Sequence, residues 1–213
     1  MKDVKAIIFD IDGVLADSRE AVVVNTKLVM QEFGFSIPSW KVEKMSTAHS
    51  AESVLISLAP SLSKDQGLLS RMLARLSEIT RENLHLVKPT PLAKSVPALS
   101  KKYLFAAATN RKASAKMVLE RLGLIDYFSA VLTSADAPPK PNPKMIRLCL
   151  EKLKVSPWQA LFIGDNIEDM QAGKAAGVKT IRLDGTDEKA ASKLISRLLR
   201  TRIQKHKNNA TKK

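Results

Sequence analysis

The sequence predicts an α/β fold: a parallel sheet with helices on both faces, and a small all-helical unit inserted after the first strand. Three observations lead there. Short apolar runs alternate with helical patterns along most of the chain, and that alternation builds a parallel sheet. The runs are apolar at successive positions rather than at every second one, as strands buried on both faces are. From about Ser18 to Lys88 the alternation stops, and no convincing strand is found.

Each element has its own signal. The predicted strands are "AIIF" before Asp10, "YLFAAA" before Thr109, "SAVLT" from Ser129, "ALFI" before Gly164 and "TIRL" before Asp184. Between them, "SAKMVLERLGL" has apolar residues at helical spacing and a glycine near its end. "KMIRLCLEKL" follows "PNP", where Asn142 can cap and Pro143 can take the first helical position. "IEDMQAGKAAG" is alanine-rich and ends at Gly177. In the insert, "REAVVVNTKLVMQEFGF", "AESVLISLA" and "DQGLLSRMLARLSEITRENLHLV" read as amphipathic helices. "VKPTPLAKSVPALS", with its three prolines, reads as a connecting stretch. The expected organisation is a core of residues 1–16 and 89–199, a helical unit of residues 17–88, and a basic tail of residues 200–213.

Composition sets outer limits. The 213 residues are 45% hydrophobic, enough for a substantial core. One cysteine, Cys149, excludes an internal disulfide framework, and its apolar helical surroundings make it a core residue. No apolar run approaches the roughly 20 residues of a membrane helix, and the run after Lys5 stops at Asp10, unlike a signal peptide. A cytoplasmic protein without a membrane partner is expected. The net charge is +14, and such a balance attracts phosphorylated metabolites, nucleic acids or anionic surfaces. "RTRIQKHKNNATKK", from Arg200, holds bases and no acid. Trp40 and Trp158 are read as packing residues. His85 and His206 have no companions at metal-binding spacing.

The polar residues that end the strands carry the functional signal. Asp10, Thr109 and Asp165 each fall at or just after a strand's C-terminal end. In an open parallel sheet, ligands bind in the crevice beyond those ends. A carboxylate there is costly unless paired, hydrogen-bonded or bound to a metal.

These pieces form an ordered set. "FDIDGVLADS" resembles the first motif of the haloacid dehalogenase superfamily, in its phosphatase and phosphomutase branch. "ATNRK" resembles the second, Lys140 in "PPKPNP" the third, and "GDNIEDMQAGKAAG" the fourth. The resemblance runs from Lys5 to about Leu183. It implies a Rossmann-like core with the insert as a cap domain, and a Mg²⁺-dependent phosphatase working through an aspartyl-phosphate. In the family pattern Asp10 is nucleophile and metal ligand. Asp12 is general acid and then base, with its main-chain carbonyl on the metal. Thr109, Asn110 and Lys140 bind the phosphoryl group. Asp165 is a metal ligand, and Asp169 a ligand or outer partner. Glu168 is read as a solvated helix residue, and Arg111 as either a substrate contact or a surface residue.

The chemistry asks for these residue types. Phosphate monoesters hydrolyse very slowly unaided. A carboxylate nucleophile divides the reaction into two steps. Its repulsion from a phosphate dianion is relieved by Mg²⁺, a hard cation that takes oxygen ligands. Asp12 must carry a proton in the first step, so its pKa should rise toward the working pH, with the metal and Lys140 pushing against that rise.

The presence of Asp12, which true dehalogenases of the superfamily lack, favours phosphate chemistry. The substrate is expected to be a small phosphorylated metabolite, phosphoglycolate-like or a sugar phosphate. The alternative within the branch is a sugar phosphomutase. By a loose alignment His49 stands where those mutases place a substrate-contacting arginine. The alternative from another class is a nucleic-acid-associated protein using the basic tail. It would bind with steep salt dependence, but no nucleic-acid motif and few aromatics support it.

Overall fold

A computed structural model of the chain describes residues 3–45, 50–112 and 114–200, without the side chain of Met45. Five parallel strands form the sheet: β1 (Ala6–Phe9), β4 (Leu104–Ala108), β5 (Ala130–Leu132), β6 (Ala160–Gly164) and β7 (Lys179–Arg182), in the order β5-β4-β1-β6-β7. All five were expected from the sequence, although β7, an edge strand with exposed Lys179 and Arg182, holds Ile181 as its one apolar residue. β1 lies at the centre because both neighbours pair with all four of its residues: Ile7 with Phe105 and Leu161, Phe9 with Ala107 and Ile163. The order reverses at β1, so the crevice for a ligand opens beyond its C-terminal end.

The pleat sends alternate residues to two apolar clusters. Ile7, Phe9, Phe105, Leu161 and Ile163 pack on one face under α5 (Pro91–Leu99), α6 (Ala115–Arg121) and α9 (Glu188–Arg200). Ala6, Ile8, Ala106 and Phe162 pack on the other under α7 (Lys144–Leu153) and α8 (Ile167–Ala175). This is the Rossmann-like α/β architecture. Cys149 is buried in the second cluster, and burial pushes its thiol up to about 12, which makes it inert.

The insert consists of α1 (Arg19–Glu32), α2 (Ser39–Met45), α3 (Ala51–Leu58) and α4 (Gln66–Glu82). It has a third apolar cluster of its own, around Val29, Met30, Leu55, Leu62, Leu69 and Met72. Asp65 caps α4 by accepting from the N–H of Leu68. No described helix is long and apolar enough to cross a membrane.

Three details differ from expectation. A two-stranded ribbon, β2 (Ala16–Asp17) with β3 (Lys88–Pro89), joins insert and sheet; two residues per strand leave no periodicity to read. The proline-rich stretch is the helix α5 rather than a connection. Thr90 caps it, Pro91 starts it where an N–H is not needed, and Leu92, Ala93, Val96 and Leu99 form its buried face. Trp40 and Trp158 are not packing residues: they are 64% and 65% exposed. Each sits in the first turn of a short helical segment on the surface.

Candidate active site

The apolar run of β1 ends at Asp10, whose N–H donates to the Ile163 carbonyl at 2.8 Å. The carboxylate is therefore held at the end of the sheet's central strand. It is only 5% exposed. Its Oδ1 meets the Lys140 ammonium at 2.8 Å, and the same ammonium meets Asp169 Oδ1 at 2.6 Å. Lys140 and Asp169 are also buried. Asp169 reaches this point from the first turn of α8, where its Oδ2 accepts from the N–H of Asn166. Gly164 makes the approach sterically feasible, because a β-carbon there would lie 2.4 Å from Asp169.

Asp165 completes the acidic group. Carboxylate oxygens of Asp10, Asp165 and Asp169 lie within 4.8 Å of one another. Gly13, with φ 71°, starts the turn that follows, and a β-carbon on it would strike Asp165 Oδ2 at 2.1 Å. The turn is braced from β7, since the N–H of Gly185 donates to the Gly13 carbonyl at 2.6 Å.

Three carboxylates against one ammonium leave an excess of negative charge. Burial, with Asp169 and Asp12 nearby, raises Asp10 to about 6 despite the opposing Lys140. Burial, then Asp10 and Asp169, raise Asp165 to about 7. Burial alone would lower Lys140, but the two carboxylates outweigh it and its pKa is raised. A hard divalent cation fits this group: all donors are oxygens, they converge, and their charge is not balanced within the protein.

Asp12 is arranged differently. Arg111 Nε donates to its Oδ2 and Arg111 Nη2 to its Oδ1, both at 2.6 Å. Ser18 Oγ donates to Oδ1, also at 2.6 Å. Burial pushes Asp12 up, but the charge and hydrogen bonds of Arg111 and the Ser18 hydroxyl hold it below the usual carboxylate range. This is opposite to the rise expected for a general acid. The physical reason is Arg111, whose side chain is 13% exposed and whose guanidinium is fixed further by Ser114. Arg111 is thus no surface residue, and Ser18 was missed. The available signal was position: Arg111 follows Thr109 by two residues at a strand end.

Thr109 is buried and accepts from the N–H of Arg111. Asn110 accepts from the Lys140 N–H at 2.8 Å and donates to the Lys140 carbonyl at 3.3 Å. Its side chain therefore ties the β4 end to the loop that delivers Lys140. Asp10, Asp12, Thr109, Asn110, Lys140, Asp165 and Asp169 all gather beyond the C-terminal edge of the sheet. His49 and the tail beyond Arg200 lie outside the described residues.

Comparison with known proteins agrees with this geometry. A family model described as haloacid dehalogenase-like hydrolase matches residues 7–183. Pyrophosphatase PpaX from Bacillus velezensis is 28% identical over 189 residues, covering 84% of this chain and 82% of the relative. Phosphoglycolate phosphatase from Vibrio vulnificus is 28% identical over 194 residues, covering 85% and 84%. The crystal structure of a HAD-superfamily hydrolase, subfamily IA, variant 1, from Geobacter sulfurreducens superposes with a TM-score of 0.70 at 28% identity, covering 85% of this chain and 87% of that one.

Proposed function

The chain belongs to the haloacid dehalogenase-like hydrolases, and we propose that it is a Mg²⁺-dependent phosphatase that hydrolyses a small phosphorylated metabolite through a phosphorylated Asp10. The observation that carries this reading is the cluster of Asp10, Asp165 and Asp169 around Lys140 beyond the central strand. Asp10, Asp165 and Asp169, with the main-chain carbonyl of Asp12, would hold the Mg²⁺. When bound, it would stabilise charge on the phosphoryl oxygens and offset their repulsion from Asp10.

In the first step an Asp10 oxygen forms a bond to phosphorus, and the bond from phosphorus to the leaving oxygen breaks. Asp12 gives that oxygen its proton. In the second step water attacks phosphorus, Asp12 takes the proton, and the bond to Asp10 breaks to release phosphate. Lys140 and Thr109 hold the phosphoryl oxygens, and Asn110 holds Lys140 in place.

The resting state of Asp12 suits the second step. While it accepts from Arg111 and Ser18, it is an ionised base. For the first step it must exchange those contacts for a proton. Ser18 precedes α1, so movement of residues 17–88 as a cap would carry the Ser18 contact with it. Such a cap would admit substrate and then exclude water.

The names of the relatives put phosphoglycolate and pyrophosphate on the test panel, beside the sugar phosphates expected from the sequence, all assayed for phosphate release with and without Mg²⁺. The expected result is release that needs Mg²⁺ and disappears in Asp10→Asn. Equal release by Asp10→Asn would sink the mechanism. No release from any substrate by a folded, Mg²⁺-binding protein would sink the assigned substrate class.

A further inference from the structure

We propose that the outer face of α9 is a sequence-independent binding surface for the phosphate backbone of duplex DNA, separate from the catalytic crevice. Lys189, Lys193, Arg197 and Arg200 follow one another at spacings of four, four and three residues. At 3.6 residues per turn this is one continuous stripe about 16 Å long. All four are exposed. The opposite face of the helix, Ala191, Leu194 and Leu198, is buried against the sheet. A shallow recess on the stripe is lined by Lys193, Ser196, Arg197 and Arg200.

The neighbouring element extends the charge. α9 packs along α5, and α5 with the residues after it adds Lys94, Lys101 and Lys102. The Lys102 ammonium donates to the Leu199 carbonyl in the last turn of α9, and the Tyr103 hydroxyl donates to the Leu198 carbonyl. These contacts bring the two sets of cations together. Residues 84–102 and 189–200 contain no acid.

The occupant follows from what this face offers and lacks. It offers a row of cations, and B-form DNA carries about one negative charge per 1.7 Å of its axis. It lacks aromatics: residues 84–102 and 189–200 contain no Phe, Tyr or Trp, so bases of a single strand have nothing to stack on. An amphipathic helix lying on a membrane inserts its apolar face, and that face of α9 is already spent on the core. The last turn of α9 lies beside Tyr103, just before the start of β4, at the end of the sheet away from Asp10, while its first turn follows Gly185, which braces the Gly13 turn.

The test is fluorescence anisotropy of the full chain with two unrelated 20-base-pair DNA duplexes across a salt series. A variant carrying Lys189→Gln, Lys193→Gln, Arg197→Gln and Arg200→Gln, with the tail intact, is measured beside it. Both duplexes should bind alike, and affinity should fall at least ~100-fold between 50 and 200 mM salt. The variant should bind at least ~10-fold more weakly, with its log–log salt slope reduced by about three to four. Its circular dichroism and phosphate release should be unchanged, and a double variant, Lys193→Gln with Arg197→Gln, covers loss of folding. No binding by the unaltered protein, or an unchanged slope in the variants, overturns the proposal. So does binding to phosphatidylserine vesicles but not to DNA, or a 10-fold preference for duplex RNA.

Discussion

Two clusters of charge, one in the sheet domain and one in the helical insert, show how differently a protein uses the same groups. In the insert, Arg75 meets Glu32 at 2.8 Å, Glu78 at 3.1 Å and Glu82 at 3.3 Å. These side chains are 32% to 61% exposed. In the sheet domain, Lys140 meets Asp10 and Asp169 at similar distances, but the three side chains are 3%, 7% and 1% exposed. The exposed network is screened by water and holds long side chains in one place for little return. The buried cluster is costly to assemble, since desolvating ions opposes folding. Distance alone does not separate the two; burial does. A protein keeps the costly arrangement where a pre-set field is useful, as at a site that must accept an anion.

The comparison can be broken from the buried side first. Lys140→Met removes the one cation among three acids. Breaking a buried pair of this kind costs about 3–5 kcal/mol, and phosphate release should fall to background. Denaturant unfolding at pH 8 without Mg²⁺ would read the first effect, with partial recovery on adding Mg²⁺. An unchanged midpoint would mean that Lys140 is not the counter-charge the geometry makes it.

The acids predict a pH dependence of definite sign. Asp10 is raised to about 6 and Asp165 to about 7, from 3.8. Between pH 4 and 7 the folded protein therefore holds protons that the unfolded chain has released. These two groups make stability fall as pH rises through that window. Asp12, which is lowered, acts only below it, by losing stability as pH drops. Metal-free protein should thus melt at a lower temperature at pH 8 than at pH 5. Mg²⁺ should raise the melting temperature more at pH 8 than at pH 5, because it binds the ionised form. Equal metal effects at the two values would count against the acidic group as the metal site.

Arg111→Met is expected to act mainly on turnover. It frees Asp12 from its two-pronged contact, and a loss of about 10- to 100-fold in kcat, with a smaller change in KM, is the expected scale for a displaced acid–base group. Arg111→Lys should recover little of this, since an ammonium cannot reproduce the fork. Steady-state kinetics on the best substrate decide it, and full activity in Arg111→Met would leave the pair without a catalytic part. The smallest effect belongs to the exposed cluster. Arg75→Ala should leave activity unchanged and the melting temperature within the reproducibility of a thermal scan.

Much of this architecture was legible because its signals are local. Asp10, Thr109 and Asp165 each end an apolar run, so the strand that buries the run also sets the residue at the sheet edge. β1, β4, β5 and β6 follow from unbroken apolar stretches for the same reason, whereas β7, at the sheet's edge, keeps Lys179 and Arg182 in water. α5 was hidden because Pro97 and the other prolines outweigh an apolar spacing that packs well. Trp40 and Trp158 were misplaced because a large apolar residue suggests burial wherever it stands, while a short surface helix can leave it outside.

The sequence by itself determined the α/β class, the helical insert and the set of residues that meets beyond the strand ends. Apolar periodicity and strand-end position are properties of a few neighbouring residues, and they survive without knowledge of the rest. Only the tertiary structure decided which charge faces which. Arg111 closes on Asp12 across 99 positions of sequence, Lys140 sits between Asp10 and Asp169, and Gly185 braces the turn at Gly13. Ion pairing depends on ångström-scale distances and on exclusion of water, and both are set by how distant segments pack.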